Sequence, residues 1–120
     1  MWVRLDDQAP NDEDIDALSD GAFRLWISAM CYAQAEQTDG YVTLQKLRRL
    51  VPNYKASQLR ELTAPSLRPG KPPIFVQLDD GITIRNFTKY NRTRGYWEAK
   101  RQRDADRIAK WRSDRDPEGD

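Results

Sequence analysis

The segment from residue 44 to residue 63 constrains the fold most, because its apolar pattern divides into two short helices. Leu44–Leu50 places leucines at every third position with basic side chains between them, which predicts a helix with one apolar face. Pro52-Asn53 then interrupts the pattern, and Lys55–Thr63 resumes it. Two short helices joined by a tight break are typical of a helix-turn-helix.

A longer helix precedes this pair and supplies most of the predicted core. Ser19 is a favoured helix N-cap, and apolar side chains recur every three or four residues between Gly21 and Glu36. This apolar stripe consists of Phe23, Trp26, Ile27, Met30 and Ala33, widened by Leu25 and Ala29. Thr38-Asp39-Gly40 predicts the turn that ends the helix, and Tyr41-Val42 follows as a brief extended piece before Thr43, which can cap the next helix.

A β-hairpin is predicted after the helix pair. Ile74–Leu78 and Ile82–Phe87 are two alternating, β-branched runs separated by Asp79-Asp80-Gly81, and Asp-Gly in this position is a strong hairpin signal. The proline-rich stretch 65–73 before them excludes helix and central strand. The order helix, short helix, short helix, hairpin is that of a winged helix. We therefore predict a mainly α fold with a small β-hairpin, an α+β winged helix-turn-helix domain over residues 1–93.

Shorter elements flank this domain. Trp2–Leu5 alternates apolar and polar residues and predicts a short strand, and the acidic segment 11–16 predicts a short helix. Thr93 can cap a basic C-terminal helix over residues 94–113, whose thin apolar edge contains Trp97, Ile108 and Trp111. Residues 114–120 are acidic and contain proline and glycine, so we expect a disordered tail.

The distribution of charge points to an electrostatic partner. The 120 residues carry a net charge of +1, but residues 1–20 have one arginine against seven acids and residues 41–95 have eleven basic residues against three acids. Such asymmetry is a hint of binding to an anionic partner. Since the basic part coincides with the predicted helix pair and hairpin, double-stranded DNA is the expected partner.

Other classes of function have little support in the residues. The chain contains no histidine, and its single cysteine, Cys31, falls in the predicted core helix, where we expect it to pack and not to act as a nucleophile. The acids at 6–7 and 12–16 precede a helix, where acids are expected. We therefore predict no enzyme, no metal site and no cofactor. No apolar run is long enough to span a bilayer and no signal peptide is visible, so a cytoplasmic location is expected.

The predicted helix pair supplies the first set of DNA-binding candidates: Lys46, Arg48, Arg49, Tyr54, Lys55, Ser57, Gln58 and Arg60. In DNA-binding helix-turn-helix proteins the second helix enters the major groove and the first crosses the backbone. Gln58 and Arg60 could bond to adenine and guanine edges, whereas lysine and serine more often contact phosphate. The alternative interpretation is that these are solvated helix faces on a protein-docking winged helix.

The hairpin and the C-terminal helix supply the remaining candidates. The hairpin tip carries two acids, so we expect it to avoid DNA or to contact protein, and Arg85 and Lys89 at its far end are better placed. In the C-terminal helix, like charges recur at steps of three and four, at Lys100, Arg103, Arg107 and Lys110. This stripe fits phosphate contact, because an anionic backbone relieves its self-repulsion and releases counterions. Packing on the domain or on a second copy, as a homodimer, fits it equally.

Several segments resemble a group of actinobacterial phage and prophage proteins described as helix-turn-helix or replication-initiation proteins. The resemblance is carried by residues 1–8, 18–26, 38–42 and 47–50, and more weakly by 84–91 and 98–101. It implies a winged helix that binds DNA near a phage origin or operator, in replication initiation or transcription regulation. The chain departs from the family at 64–73, where a proline-rich insertion replaces a Gly-Leu-Trp-like junction.

The sequence leaves one rival function open. A winged helix could serve as an adaptor that uses its acidic N-terminal face and exposed aromatics to engage a host or replisome protein. The acidic hairpin tip favours this alternative, and the near-neutral net charge does not oppose it.

Overall fold

The structure, a computed structural model, describes residues 2–115 and confirms the α+β class. Six α-helices and three strands follow one another in these residues: α1 (Glu13–Asp16), α2 (Asp20–Ala35), β1 (Tyr41–Thr43), α3 (Leu44–Leu50), α4 (Ala56–Thr63), β2 (Phe75–Gln77), β3 (Gly81–Ile84), α5 (Phe87–Tyr90) and α6 (Arg94–Arg115). A 3-10 turn at Ala9–Asn11 precedes α1.

The three strands form one antiparallel sheet in the order β1-β3-β2. The predicted hairpin is confirmed as β2 and β3, with Val76 opposite Thr83, but its second strand ends at Ile84 and Phe87 begins α5. The brief extended piece after α2 is the third strand, because β1 pairs with β3 and places Val42 opposite Ile82. The helix pair α3–α4 thus lies between the first and second strands of the sheet in sequence, which is the winged helix-turn-helix arrangement.

The core lies between α2, the helix pair and the sheet. Its buried apolar residues are Ile15, Ala22, Leu25, Trp26, Ala29, Met30, Ala33, Val42, Leu47, Val51, Leu62, Ile74, Phe75, Ile82, Ile84 and Phe87. The predicted stripe on α2 is displaced, since Leu25 is fully buried while Phe23 is 40% exposed. Cys31 is exposed, so the prediction that it packs in the core is wrong.

Three side-chain caps predicted from the sequence begin their helices. Ser19 accepts a hydrogen bond from the backbone N–H of Ala22 at the start of α2. Thr43 accepts one from Lys46 at the start of α3, and Thr93 accepts one from Tyr96 at the start of α6. Each bond satisfies a backbone donor that has no partner inside its helix.

The N-terminal segment departs from its predicted structure. Trp2–Leu5 forms no strand and pairs with neither outer strand of the sheet, β1 nor β2. The buried amide of Asn91 holds it instead: Asn91 Oδ1 accepts the Arg4 N–H at 2.6 Å, and Asn91 Nδ2 donates to the Arg4 carbonyl at 3.4 Å.

The C-terminal helix α6 projects from the rest of the molecule. It has no buried residue, and the molecule measures 66 × 28 × 24 Å with a radius of gyration of 19.3 Å, against about 14 Å for a compact chain of this length. The helix continues through Asp114 and Arg115, so the predicted tail does not begin at 114. The rest of that tail, 116–120, lies outside the described residues.

Candidate nucleic-acid interface

The helix pair is anchored from beneath by apolar contacts. Leu47 in α3, Leu62 in α4 and Val51 in the intervening loop are buried, and Tyr54 is half-buried against the same core. Tyr54 therefore contributes much of its ring to packing. Its backbone N–H donates to the Val51 carbonyl at 3.1 Å, which closes the turn between the helices.

Four cations predicted from the sequence are exposed on this helix pair. Arg48 and Arg49 in the last turn of α3, Lys55 at the start of α4 and Arg60 within α4 are all exposed. None of them forms an ion pair with another residue of the segment 2–115. We call these four residues, with the exposed Ser57, the helix-pair face.

Lys46 lies at the margin of the helix-pair face. It is half-buried, and its Nζ lies 5.4 Å from the centre of the Tyr32 ring on α2. A cation over an aromatic face is attracted to the ring quadrupole. Lys46 is therefore partly committed to packing α3 against α2.

Gln58 does not belong to the helix-pair face, and the prediction that it reads bases is wrong. Its Oε1 accepts the backbone N–H of Lys55 at 2.8 Å, which caps α4. Its amide also lies against Gly21 of α2, where a Cβ atom would come within 1.9 Å of Nε2. The side chain thus fills the junction between two helices and is not directed outward.

Glu61 is the acidic residue of α4, and its carboxylate forms hydrogen bonds with Ser19 just before α2. Its carboxylate accepts the Ser19 backbone N–H at 2.8 Å and the Ser19 hydroxyl at 2.6 Å. These bonds place a negative charge at the N-terminus of α2, where the helix dipole favours it. The two bonds hold α4 against α2 and keep the Glu61 carboxylate on the side of α4 that faces α2.

The prediction that Arg85 contacts DNA is also wrong, because its side chain is buried in an ion pair. Its side chain is 8% exposed and its Nη1 lies 2.8 Å from Asp14 Oδ2. Nη1 also donates to the Pro72 carbonyl at 2.8 Å, and Nη2 lies 3.6 Å from Asp12 Oδ1. Asp14 in α1 and Asp12 just before it therefore hold the hairpin and the proline-rich stretch.

The environment of Asp14 keeps its carboxyl ionised. Burial raises the pKa of Asp14, but hydrogen bonds from Ser66, Arg85 and Leu67, together with the charge of Arg85, outweigh burial and lower the pKa below its ordinary value of 3.8. The Leu67 N–H donates to Oδ1 at 2.7 Å. One buried carboxylate thus organises the proline-rich stretch, which the sequence did not assign to a helix or strand.

Of the two acids at the hairpin tip, Asp80 forms hydrogen bonds with residues of β1 and α3. The hydroxyl of Tyr41 donates to the Asp80 carboxylate, which raises the pKa of Tyr41 above its ordinary value of 10.0. The Asp80 carbonyl also accepts the Leu44 N–H at 3.0 Å. The tip is therefore held against the start of α3, and Asp79 is exposed beside it.

The basic residues of α6 fall into two groups. Lys100 and Arg107 form ion pairs with Asp104 at 3.0 and 3.1 Å, and the Lys100 contact lowers the pKa of Asp104. Arg103 and Lys110 are exposed and form no ion pair with residues 2–115. Lys89 lies in α5 and not at the end of the hairpin, as predicted; it is also exposed, with its Nζ 5.4 Å from the centre of the Tyr90 ring.

A cavity of about 420 Å³ was not foreseen from the sequence. The N-terminal segment forms one wall, with Arg4 and Ala9, and Trp26, Met30 and Phe87 reach it from the core. No sequence signal could have found it, because its walls meet only in the tertiary fold. No group of three or more metal-ligating side chains occurs within the described segment.

No protein-family model, curated protein or solved structure matches this chain. The resemblance to phage helix-turn-helix proteins therefore stays a prediction. Among residues 2–115, no helix combines the length and apolar character needed to cross a membrane.

Proposed function

We propose that this protein binds double-stranded DNA, with α4 in the major groove and α3 across the phosphate backbone. The observation that carries the proposal is the helix-pair face, in which Arg48, Arg49, Lys55 and Arg60 are exposed without intramolecular ion pairs. Phosphate contacts of this kind supply most non-specific affinity and orient the protein on the duplex.

Base reading falls to fewer side chains than the sequence predicted. With Gln58 committed to the junction with α2, Arg60 and Ser57 are the exposed polar side chains within α4. Arginine bonds bidentately to guanine O6 and N7. We therefore expect at least one G·C pair in the recognised site to depend on Arg60.

The biological role follows from the resemblance and belongs to the same proposal. Binding near a phage or prophage origin or operator, in replication initiation or transcription regulation, is what the resembling segments favour.

The test replaces three arginines of this face. Arg48→Ala, Arg49→Ala and Arg60→Ala together should reduce affinity for duplex DNA. The negative slope of log K against log salt should become less steep by about 1.8, since the phosphate contacts of Arg48 and Arg49 contribute about 0.9 each. All three side chains are exposed, so the melting temperature should change little. Fluorescence anisotropy at several salt concentrations measures both affinity and slope.

A matched variant controls for net charge. Arg4→Ala, Lys71→Ala and Arg92→Ala remove the same charge from exposed positions outside the helix-pair face, and the slope should stay near the wild-type value. Equal losses in the two triple variants would show that the helix pair has no special role. If both variants bind as wild type does, the docking surface is wrong, and the adaptor function becomes the better account.

A further inference from the structure

The outer half of α6 exposes two large apolar side chains. Ile108 is 48% exposed and Trp111 is 57% exposed, and they lie one helical turn apart on the same face. They belong to a stripe spaced alternately by four and three residues: Trp97, Arg101, Asp104, Ile108, Trp111 and Arg115. Alternating steps of four and three residues, which add up to a heptad, are those of a coiled-coil seam.

We propose that residues 104–115 of α6 pack antiparallel against the same segment of a second copy of this chain. The local two-fold axis then passes between Ala109 and Lys110. Ile108 of each copy lies against the partner's Trp111, and Asp104 lies opposite the partner's Arg115. The two apolar side chains of each copy are covered, and the overlap ends in an ion pair on either side.

The charges favour this antiparallel register over a parallel one. In the antiparallel pair Asp104 meets an arginine, and Arg107 beside the seam approaches the partner's Asp114. A parallel, in-register pair would place Asp104 against its own copy and Arg101 and Arg115 against theirs. Like charges directly opposed across a helix interface are unfavourable. The distribution of acids and bases along 101–115 therefore selects one orientation.

The proposed contact is short and leaves the DNA-facing cations free. An overlap of about 12 residues spans about 18 Å, far less surface than a standard interface, so we expect self-association in the micromolar range or weaker. Arg103 and Lys110 occupy a different heptad position from the seam residues and remain exposed. Dimer formation neither requires DNA nor competes with it, so this inference stands independently of the proposed function.

The test is sedimentation velocity on the full chain without DNA, from low micromolar to submillimolar concentration. The wild type should shift from monomer to dimer with rising concentration. Ile108→Ser with Trp111→Ser should stay monomeric, whereas Phe23→Ser, at another exposed aromatic on α2, should associate as the wild type does. A wild type that is monomeric throughout, or association that survives loss of both apolar side chains, would overturn the proposal.

A charge exchange tests the register. Asp104→Arg alone and Arg115→Asp alone should each weaken association by about tenfold, and the double variant should recover it. Asp104 also pairs within its own helix with Lys100 and Arg107, but the double variant lacks those pairs as the single variant does, so recovery cannot come from helix stability. Circular dichroism verifies equal helicity. Failure to recover at equal helicity would overturn the antiparallel arrangement.

Discussion

The carboxylate of Asp14 joins parts of the chain that are far apart in sequence. It accepts hydrogen bonds from Leu67 in the proline-rich stretch and from Arg85 after β3, and it is 7% exposed. A buried ion pair contributes little net stability by itself, but removal of one partner leaves an uncompensated charge. Asp14 therefore matters chiefly because Arg85 depends on it.

Asp14→Asn should lower the free energy of unfolding at neutral pH by about 3 kcal/mol, since Arg85 loses its closest partner. Folding lowers the pKa of Asp14, so its contribution is fully present above the ordinary value of 3.8 and is lost as the pH falls below that value through the folded pKa. Urea denaturation at several pH values measures this. Asp16→Asn, exposed and on the same helix, is the control. A deficit in Asp14→Asn that persists unchanged well below pH 3.8 would contradict the account.

The roles of two residues, Gln58 and Arg85, could not be predicted from the sequence. Gln58 and Arg85 have side chains suited to nucleic-acid contact, and nothing in their neighbours distinguishes them from Arg60 or Lys89. Their partners, Gly21 and Asp14, lie 37 and 71 residues away. Only the tertiary fold shows that one fills a helix junction and the other neutralises a buried carboxylate.

Among the elements, local signals predicted α3 and the hairpin turn, but they placed Phe87 in the second hairpin strand, whereas it begins the short helix α5. α3 begins and ends as its leucine spacing and the Thr43 cap predict, and the Asp-Gly turn lies between β2 and β3. Trp2–Leu5 has the alternation of a strand, but neither outer strand of the sheet, β1 nor β2, pairs with it. Strand formation requires a partner that a single segment cannot specify.

The two groups of cations on α6 predict different salt responses. Arg103→Ala with Lys110→Ala should make the negative slope of log K against log salt less steep by up to about 1.8, because both side chains are free to contact phosphate. Lys100→Ala with Arg107→Ala removes the same charge from side chains that pair with Asp104, and should change the slope less. Anisotropy titrations on the two double variants make the comparison. Equal changes in slope would show that the intrahelical ion pairs do not matter for binding.

At the scale of the whole molecule, the structure consists of a compact winged-helix head and a projecting helix. About 15 residues, or about 23 Å of helix, separate the start of α6 from the centre of the proposed overlap. Two heads joined in this way would have the starts of their α6 helices about 46 Å apart. A dimer would therefore contact DNA at two separated sites and not at one continuous patch.

In our proposal, the uneven distribution of charge in this nearly neutral chain serves binding to duplex DNA. The most direct test is an anisotropy titration of the wild-type chain against random-sequence duplex at low and at moderate salt. The account predicts micromolar binding that weakens steeply as salt rises, because counterions are released from the phosphates. Absence of binding at low salt would remove the electrostatic contribution on which nearly all DNA-binding proteins depend, and would contradict the account.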